Sequence, residues 1–220
     1  MPRYAMVMDM RRCIGCHACA VACKAENRVP IGIFRTQVRY YEKGKFPNTR
    51  KYFFNWICDH CDEPPCVAAS ENNGTGSFYQ KDGITLIDFE KLTKGRSQKQ
   101  IKTEVDAAIE SCPLEAIAVD PQTGLPDKCT FCAHRVDKGL VPACVQTCIG
   151  RTRVFGDLDD PNSEVSKLVA NNPTRTIMPD DDGGGSGVLY IGLEANFVDY
   201  EAMEGGVQMD PKKYKTSPQS

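Results

Sequence analysis

Apolar residues occur along the chain in short runs, and polar segments rich in glycine, proline and asparagine separate one run from the next. Runs of about four to eight residues with alternating or continuous apolar positions are typical of short β-strands. The stretch from Phe34 to Ile57 has a Gly/Pro/Asn turn near its middle and therefore predicts two strands. Single strands are predicted at YAMVMDM (4–10), ITLID (84–88), AIAVD (116–120) and VLYIGL (188–193).

Apolar positions spaced three and four residues apart predict helices elsewhere. The clearest helix follows Ser97, a favourable N-cap residue, and its apolar face includes Ile101 and Val105. The segment DDDGGGSG (180–187) is predicted to be a flexible loop. Further helices are predicted at ACAVACKAEN (18–27), PACVQTC (142–148) and PNSEVSKLVANN (161–172).

The composition is ordinary for a globular protein, since 41% of the 220 residues are hydrophobic and 25% are charged. The formal net charge of −2 indicates neither nucleic acid nor an anionic membrane as a partner. No apolar run reaches the roughly 18 residues of a membrane span, so no direct span is expected. The N-terminal segment lacks the basic start and apolar core of a secretory signal, and no apolar segment follows Arg11 and Arg12, so no export signal is predicted.

Cysteine is the residue type in clear excess, with twelve copies in four groups. The first group, CIGCHACAVAC, has two residues between its first three thiols and three residues before the fourth. The second group is CDHCDEPPC, the third is the single cysteine of SCPLEAI, and the fourth is CTFCAHRVDKGLVPACVQTC. In this order the thiols are Cys13, Cys16, Cys19 and Cys23; Cys58, Cys61 and Cys66; Cys112; and Cys129, Cys132, Cys144 and Cys148.

Three kinds of cysteine chemistry fit this spacing to different degrees. A disulfide framework suits short secreted chains, and this chain is long enough to fold without one. Structural zinc usually takes two separated C-x2-C pairs, so a third cysteine two residues later is superfluous. A C-x2-C-x2-C loop wraps three corners of a [4Fe–4S] cluster and takes the fourth thiolate from elsewhere. The pattern therefore favours iron–sulfur clusters, and twelve thiols divide into three sets of four without remainder.

The ligand sets follow from a rule of two-cluster ferredoxins, in which the fourth cysteine of each run binds the other cluster. Ser70 is interpreted as a non-ligand, because twelve thiols already suffice for three [4Fe–4S] clusters. No residue is predicted to be catalytic. The predicted iron ligands are Cys13, Cys16, Cys19 and Cys148 for the first cluster, Cys23, Cys129, Cys132 and Cys144 for the second, and Cys58, Cys61, Cys66 and Cys112 for the third.

Short strands and helices around ligand loops predict an α+β fold with two ferredoxin-like halves and an extended C-terminal arm. The first half, with two clusters and an inserted hairpin, is predicted to comprise residues 1–57 and 120–160. The second half, with one cluster, is predicted to comprise residues 58–119. Residues 161–220 are predicted to form a C-terminal helix and an arm whose apolar and aromatic residues dock on a partner.

Together these motifs resemble the iron–sulfur electron-transfer subunits of the DMSO reductase and polysulfide reductase class of molybdopterin oxidoreductases. The resemblance extends over about residues 4–172 and rests on RYAMVMDMRRCIGCHACAVACKAEN, CDHCDEPPCV, DGITLID, KCTFCAHRVDKGLVPACVQTC and RVFGDLDDPNSEVSKLV. Such subunits usually carry four cubane clusters. Here Ser70 stands where a cysteine is expected, and FEKLTKGRSQKQIKTEVDAAIE replaces the ligand loop before Cys112. This reduced three-cluster pattern is similar to that of the small subunit of pyrogallol–phloroglucinol transhydroxylase.

The resemblance implies a subunit that binds no substrate and is not an enzyme on its own. Its clusters would relay electrons between a large molybdopterin (Mo or W) catalytic subunit and a quinone-linked membrane anchor subunit or a soluble carrier. One alternative is an iron–sulfur enzyme whose cluster contacts substrate, which needs an iron without a cysteine ligand. Another is the small subunit of a cytoplasmic transhydroxylase-like enzyme. The compartment stays open between the periplasmic face, with a co-exported catalytic subunit, and the cytoplasm.

Several side chains near the ligands allow two interpretations. Trp56 is expected to pack against the third cluster rather than to relay electrons. His17 and His60 are interpreted as non-ligands, because the thiols complete each set. Six cations are interpreted first as surface charges and second as groups that tune cluster potentials: Arg11, Arg12, Lys24, Lys128, His134 and Arg135.

Overall fold

The computed structural model describes residues 2–177 and 185–193, and within them ten short strands alternate with seven α-helices. The strands are β1 (Tyr4–Asp9), β2 (Thr36–Lys43), β3 (Arg50–Ile57), β4 (Phe78–Lys81), β5 (Ile84–Ile87), β6 (Ile117–Val119), β7 (Pro126–Lys128), β8 (Arg153–Asp157), β9 (Thr174–Arg175) and β10 (Val188–Ile191). The helices are α1 (Ala18–Asn27), α2 (Pro65–Asn73), α3 (Phe89–Thr93), α4 (Gln98–Glu110), α5 (Ala133–Val136), α6 (Ala143–Gln146) and α7 (Glu164–Asn171).

A four-stranded sheet in the order β8-β1-β10-β9 joins distant parts of the chain. Strand β1 pairs antiparallel with β8 and parallel with β10. The other strands form two-stranded antiparallel pairs, β2 with β3, β4 with β5 and β6 with β7. The sheet therefore brings the segment before the first cysteine beside the segment after the last one.

Strand β1 is buried on both faces, which explains its nearly continuous apolar sequence. Met6 and Met8 point to one side, where they join a core with Phe54 of β3. Ala5 and Val7 alternate to the other side and pack with Val165 of α7. The sheet is thereby held between the β2–β3 hairpin and helix α7.

Helix α4 begins with a complete capping box, in which Ser97 accepts from the Gln100 amide and the Gln100 side chain accepts from the Ser97 amide. Its buried face packs against α2. Ala108 joins a small core with Phe78 and Cys66. This α2–α4 pair is the framework of the second part of the chain.

The α+β fold class predicted from the sequence is confirmed, and each predicted strand and helix within the described residues is present. Seven elements were missed, namely α2, α3, the one-turn α5, β4, β7, β8 and the two-residue β9. Among the described helices, none combines the length and apolarity needed to cross a membrane. The division into 1–57 with 120–160, 58–119 and 161–220 stays a prediction. The docking arm beyond Leu193 and most of the loop 180–187 lie outside the described residues.

Candidate metal centres

The twelve thiols lie around three separate cavities, with four thiols at each. The volume that the centre of a water molecule could occupy is about 20 Å³ in the first cavity, 10 Å³ in the second and 20 Å³ in the third. The three spaces are thus alike in size and in thiol number. The first cavity is lined by Cys13, Cys16, Cys19 and Cys148, the second by Cys23, Cys129, Cys132 and Cys144, and the third by Cys58, Cys61, Cys66 and Cys112.

Helix α1 distributes its two thiols between two cavities. Cys19 is in its first turn and lines the first cavity, whereas Cys23, one turn later, lines the second. The loop before α1 turns tightly at Gly15, where φ is +70° and an added Cβ would collide with the ring of Phe53. Only glycine fits both conditions, so Gly15 allows the loop to hold Cys13 and Cys16 on one side of the first cavity.

Helix α6 mirrors this arrangement from the other end of the chain. Pro142 precedes the helix as its N-cap, Cys144 lies inside it, and Cys148 follows its C-terminus. Helices α1 and α6 pack against each other. Consequently Cys144 lines the second cavity with Cys23, and Cys148 lines the first cavity with Cys19.

The third cavity is formed between β3, α2 and the end of α4. Cys58 and Cys61 lie in the loop after β3, and Cys66 is in the first turn of α2, where Pro65 occupies a favourable initial position. Cys112 follows α4 and precedes Pro113, which also lines the cavity. The α2–α4 pair therefore sets the separation between two of the four thiols.

Backbone and side-chain N–H groups are directed at sulfur in all three cavities. The amides of Thr152, Phe131 and Ala116 donate to the sulfur atoms of Cys148, Cys129 and Cys112 at 3.2, 3.4 and 3.5 Å. The Asn55 side chain donates to Cys13 Sγ at 3.3 Å, and the Asn27 side chain donates to Cys23 Sγ and Cys132 Sγ at 3.6 Å. Such donors stabilise thiolates and tune the potentials of clusters bound to them.

Burial makes the thiolate form costly without a metal. Desolvation and neighbouring thiols raise the pKa of Cys23, Cys61 and Cys66 to about 12. Because only thiolates bind iron, metal binding would release protons and replace them with the positive charge of the ions. The cavities are thus chemically unfavourable places for free thiolates and favourable places for thiolates bound to metal.

Two buried cations add to this picture. Arg153 is 2% exposed and lines both the first and the second cavity. Its Nε and Nη1 atoms have no hydrogen-bond partner among the described residues. Lys128 is 1% exposed, and its Nζ donates to the carbonyl oxygens of Thr85 and Cys129. Thiols, N–H donors and buried cations together fit anionic iron–sulfur clusters.

The interpretation of the flanking cations as surface charges is wrong for Lys128, because the short strand β7 directs it inward beside Thr85. It holds for Arg11, which is exposed and paired with Asp9, and for His134, which is exposed and contacts Glu26. Arg135 also pairs with Glu26, but only 17% of its side chain is exposed.

In the described part of the chain, no three His, Cys, Asp or Glu side chains are placed to hold a single metal ion.

The aromatic neighbours have structural contacts. Trp56 donates from Nε1 to the Leu114 carbonyl oxygen at 3.0 Å, and Leu114 lines the third cavity. His60 is fully buried, and its Nδ1 accepts from the Thr85 amide at 3.1 Å. Both residues thus form hydrogen bonds with residues that line the third cavity.

Glu104 is a buried residue that sequence reasoning missed. It is 0% exposed and lies on the same face of α4 as Ile101 and Ala108. Its spacing from Ile101 was the available signal, because positions i and i+3 share a helix face. Its carboxylate accepts from Ser70, so the serine that replaces an expected cysteine is engaged in a hydrogen bond.

The comparisons with known proteins agree with this chemistry. Residues 49–158 match the family model described as a 4Fe-4S dicluster domain. The protein is 36% identical to a subunit of tetrathionate reductase from Salmonella typhimurium, over 89% of this sequence and 75% of that one. It is 34% identical to a component of polysulfide reductase from Wolinella succinogenes, over 86% and 93%. It is also 34% identical to the arsenate respiratory reductase iron-sulfur subunit ArrB of a Shewanella species, over 86% and 96%.

Thiol arrangement, family match and relatives lead to one assignment. The protein belongs to the 4Fe-4S dicluster family and is an iron–sulfur electron-transfer subunit of the kind found in multi-subunit reductases of the molybdopterin class.

Proposed function

We propose that the chain holds three [4Fe–4S] clusters and relays electrons between a molybdopterin catalytic subunit and a membrane anchor subunit or a soluble carrier. The observation that carries this proposal is the division of twelve cysteines into three cavities with four thiols each. A cubane cluster has four irons that each take one thiolate, so each cavity has the ligands for one cluster. The ligand sets are the sets of thiols that line the three cavities.

Neighbouring thiols support a linear order of the three sites. Burial raises the pKa of Cys144, and the charge of Cys19, which lines the first cavity, raises it further. Burial also raises the pKa of Cys129, and the charge of Cys58, which lines the third cavity, adds to the increase. Both Cys144 and Cys129 line the second cavity. We therefore infer that the second site neighbours both of the others, and electrons would pass from the first through the second to the third, or in reverse.

The chain's own residues have three tasks in this transfer. They supply thiolates, they direct N–H groups at sulfur, and they bury several of the thiol residues from water. When bound, the clusters supply one-electron redox chemistry over a range of potentials set by hydrogen bonding, charge and exposure. Of the twelve cysteines only Cys16, at the first cavity, is exposed. The third cavity has two half-buried cysteines, Cys61 and Cys112, and the second has one, Cys129. The two ends of the series are thus the places where partners would exchange electrons.

The relatives' names support the choice of partners. They are components of tetrathionate, polysulfide and arsenate reductases, and the arsenate reductase relative is named as an iron-sulfur subunit. For this chain we accordingly infer a large catalytic subunit containing molybdenum or tungsten as the partner at one end. The other end would face a membrane anchor subunit or a carrier.

Iron and sulfide analysis of the anaerobically purified chain tests the proposal. Three cubane clusters predict about twelve irons and twelve sulfides per chain, together with brown colour that dithionite bleaches. The isolated chain should show no turnover with tetrathionate, polysulfide or arsenate. A count near eight would mean that one site is vacant, and a colourless zinc-containing chain would overturn the proposal.

A further inference from the structure

Arg153 occupies an unusual position for an arginine. It begins β8 and is 2% exposed. Its Nη2 atom donates to Thr36 Oγ1 at 2.7 Å and to Asn55 Oδ1 at 2.9 Å. Nε and Nη1 remain without a hydrogen-bond partner, and no salt bridge joins Arg153 to a carboxylate within residues 2–177 and 185–193. A buried guanidinium of this kind needs a nearby anion, because burial of an unpaired charge is strongly unfavourable.

The thiols of two different sites lie near this charge. Arg153 lines both the first and the second cavity. Burial lowers the pKa of Arg153, but the charges of Cys144 and then Cys19 raise it above its ordinary value. Cys144 belongs to the second cavity and Cys19 to the first. The guanidinium therefore lies between the two places where thiolates, and metal bound to them, would carry negative charge.

We propose that Arg153 is a shared cationic partner of the first and second clusters, and that it raises both reduction potentials together. This inference rests on the proposed function, because it requires clusters in both cavities. Each added electron increases the negative charge of a cluster, so a fixed positive charge in a low-dielectric interior stabilises the reduced state. Because one guanidinium lies beside both clusters, it shifts both potentials in the same direction and changes the difference between them little.

A different buried cation, Lys128, lies beside the third cavity. The Lys128 Nζ atom donates to the carbonyl oxygen of Thr85, which lines that cavity. Arg153 does not line that cavity. Arg153 thus lies beside the first two sites, whereas Lys128 lies beside the third and also contacts the Cys129 carbonyl oxygen of the second. A variant of Arg153 therefore changes the first two sites without altering the cation beside the third.

The test is an EPR-monitored redox titration of the anaerobic holo chain, with signals assigned by single-cysteine variants. Arg153→Met should lower the midpoint potentials of the first and second clusters and leave that of the third unchanged. Arg153→Lys keeps the charge and should restore most of both shifts. Lys94→Met removes an exposed cation, 78% exposed at its side chain, and should move none of the three potentials. Unchanged first and second potentials in Arg153→Met, or an equal shift of all three, would overturn the inference.

A second variant tests the same role if Arg153→Met does not assemble its clusters. Thr36→Val is nearly isosteric and removes one anchor of the guanidinium while the charge stays inside the protein. It should shift the first and second potentials and spare the third, and no shift in either would contradict the role of Arg153. Iron counts distinguish a failure of the proposed function from a failure of the role assigned to Arg153. Fewer than about twelve irons in the wild-type chain counts against the proposed function, whereas a full count with unresponsive potentials counts against Arg153 alone.

Discussion

Ser70 Oγ donates a hydrogen bond of 2.5 Å to Glu104 Oε1, and the two residues lie on the helices α2 and α4. The Glu104 carboxylate also accepts from the amides of Thr75 and Ser77 at 3.0 Å and from Ser77 Oγ at 2.7 Å. Arg96 completes the group as its ion-pair partner. Since Cys66 is on α2 and Cys112 follows α4, this buried network fixes the framework of the third cavity.

Replacing Glu104 with glutamine should destabilise the holo chain by on the order of 3 kcal/mol, because the change leaves Arg96 and several N–H and O–H donors poorly compensated. Anaerobic urea unfolding, followed by circular dichroism and by visible absorption of the clusters, measures the loss. Glu90→Gln is the matched control, because Glu90 forms an exposed pair with Lys94. The control should change stability by less than about 0.5 kcal/mol. Equal effects of the two variants would argue against the network.

The same carboxylate predicts a pH dependence. Burial raises the pKa of Glu104, but hydrogen bonds from Ser70, Ser77 and the amide of Thr75 outweigh it and lower the pKa from 4.5 to about 2. A carboxylate with a depressed pKa stabilises the fold above its unfolded-state pKa, and the contribution is lost as pH falls toward the folded-state value. The stability difference between wild type and Glu104→Gln should therefore be constant from pH 8 to about pH 5.5 and shrink below about pH 4.5. A constant difference at pH 4 would contradict the low pKa.

Ser70→Ala should keep all the iron while weakening the fold. The hydroxyl donates to Glu104 and accepts from the amide of Phe78, so its loss should cost about 2 kcal/mol. Iron per chain should stay at about twelve, because serine is a hydrogen-bond partner here and not a ligand. Cys66→Ala is the contrasting variant and should lose about four irons. Loss of iron in folded Ser70→Ala would restore Ser70 as a ligand candidate.

The sequence predicted the elements with a clear local signal. Helix α4 has a capping box at Ser97 and an apolar face, and the hairpin β2–β3 has alternating strands around a turn. The fold class and the family relationship follow from these patterns and from cysteine spacing. Which cysteines bind which cluster stays a prediction, and the division of the thiols among three cavities supports it.

The missed features depend on contacts between distant residues. Strand β8 has few apolar positions, and its extended form comes from pairing with β1, more than a hundred residues earlier. No local sequence pattern indicates that Arg153 and Lys128 are buried, because charged residues normally lie at the surface. Their environment arises only when separate cysteine groups meet.

The site geometry predicts a crossed ligand assignment, in which Cys23 binds the second cluster and Cys148 binds the first. Cys23 lies one helical turn after Cys19, about 6 Å along the axis, which places its thiol beyond the first cavity and in the second. Cys148 follows the C-terminal end of α6 and lines the first cavity, where its sulfur accepts from the Thr152 amide. The two ligands would therefore tie α1 to α6 across a large sequence separation, and cluster assembly would be coupled to folding.

Cys148→Ala should alter the EPR signal of the first cluster, and Cys23→Ala should alter that of the second, because each change removes one of four thiolates from a different site. The third cluster, on the Cys58 loop, should be nearly unaffected in both variants and serves as an internal control. Since Cys19 and Cys23 share a helix, an uncrossed arrangement makes the opposite prediction: Cys23→Ala would disturb the first cluster and Cys148→Ala the second. That reversed pattern would show that Cys13, Cys16, Cys19 and Cys23 bind one cluster, and the crossed assignment would be wrong.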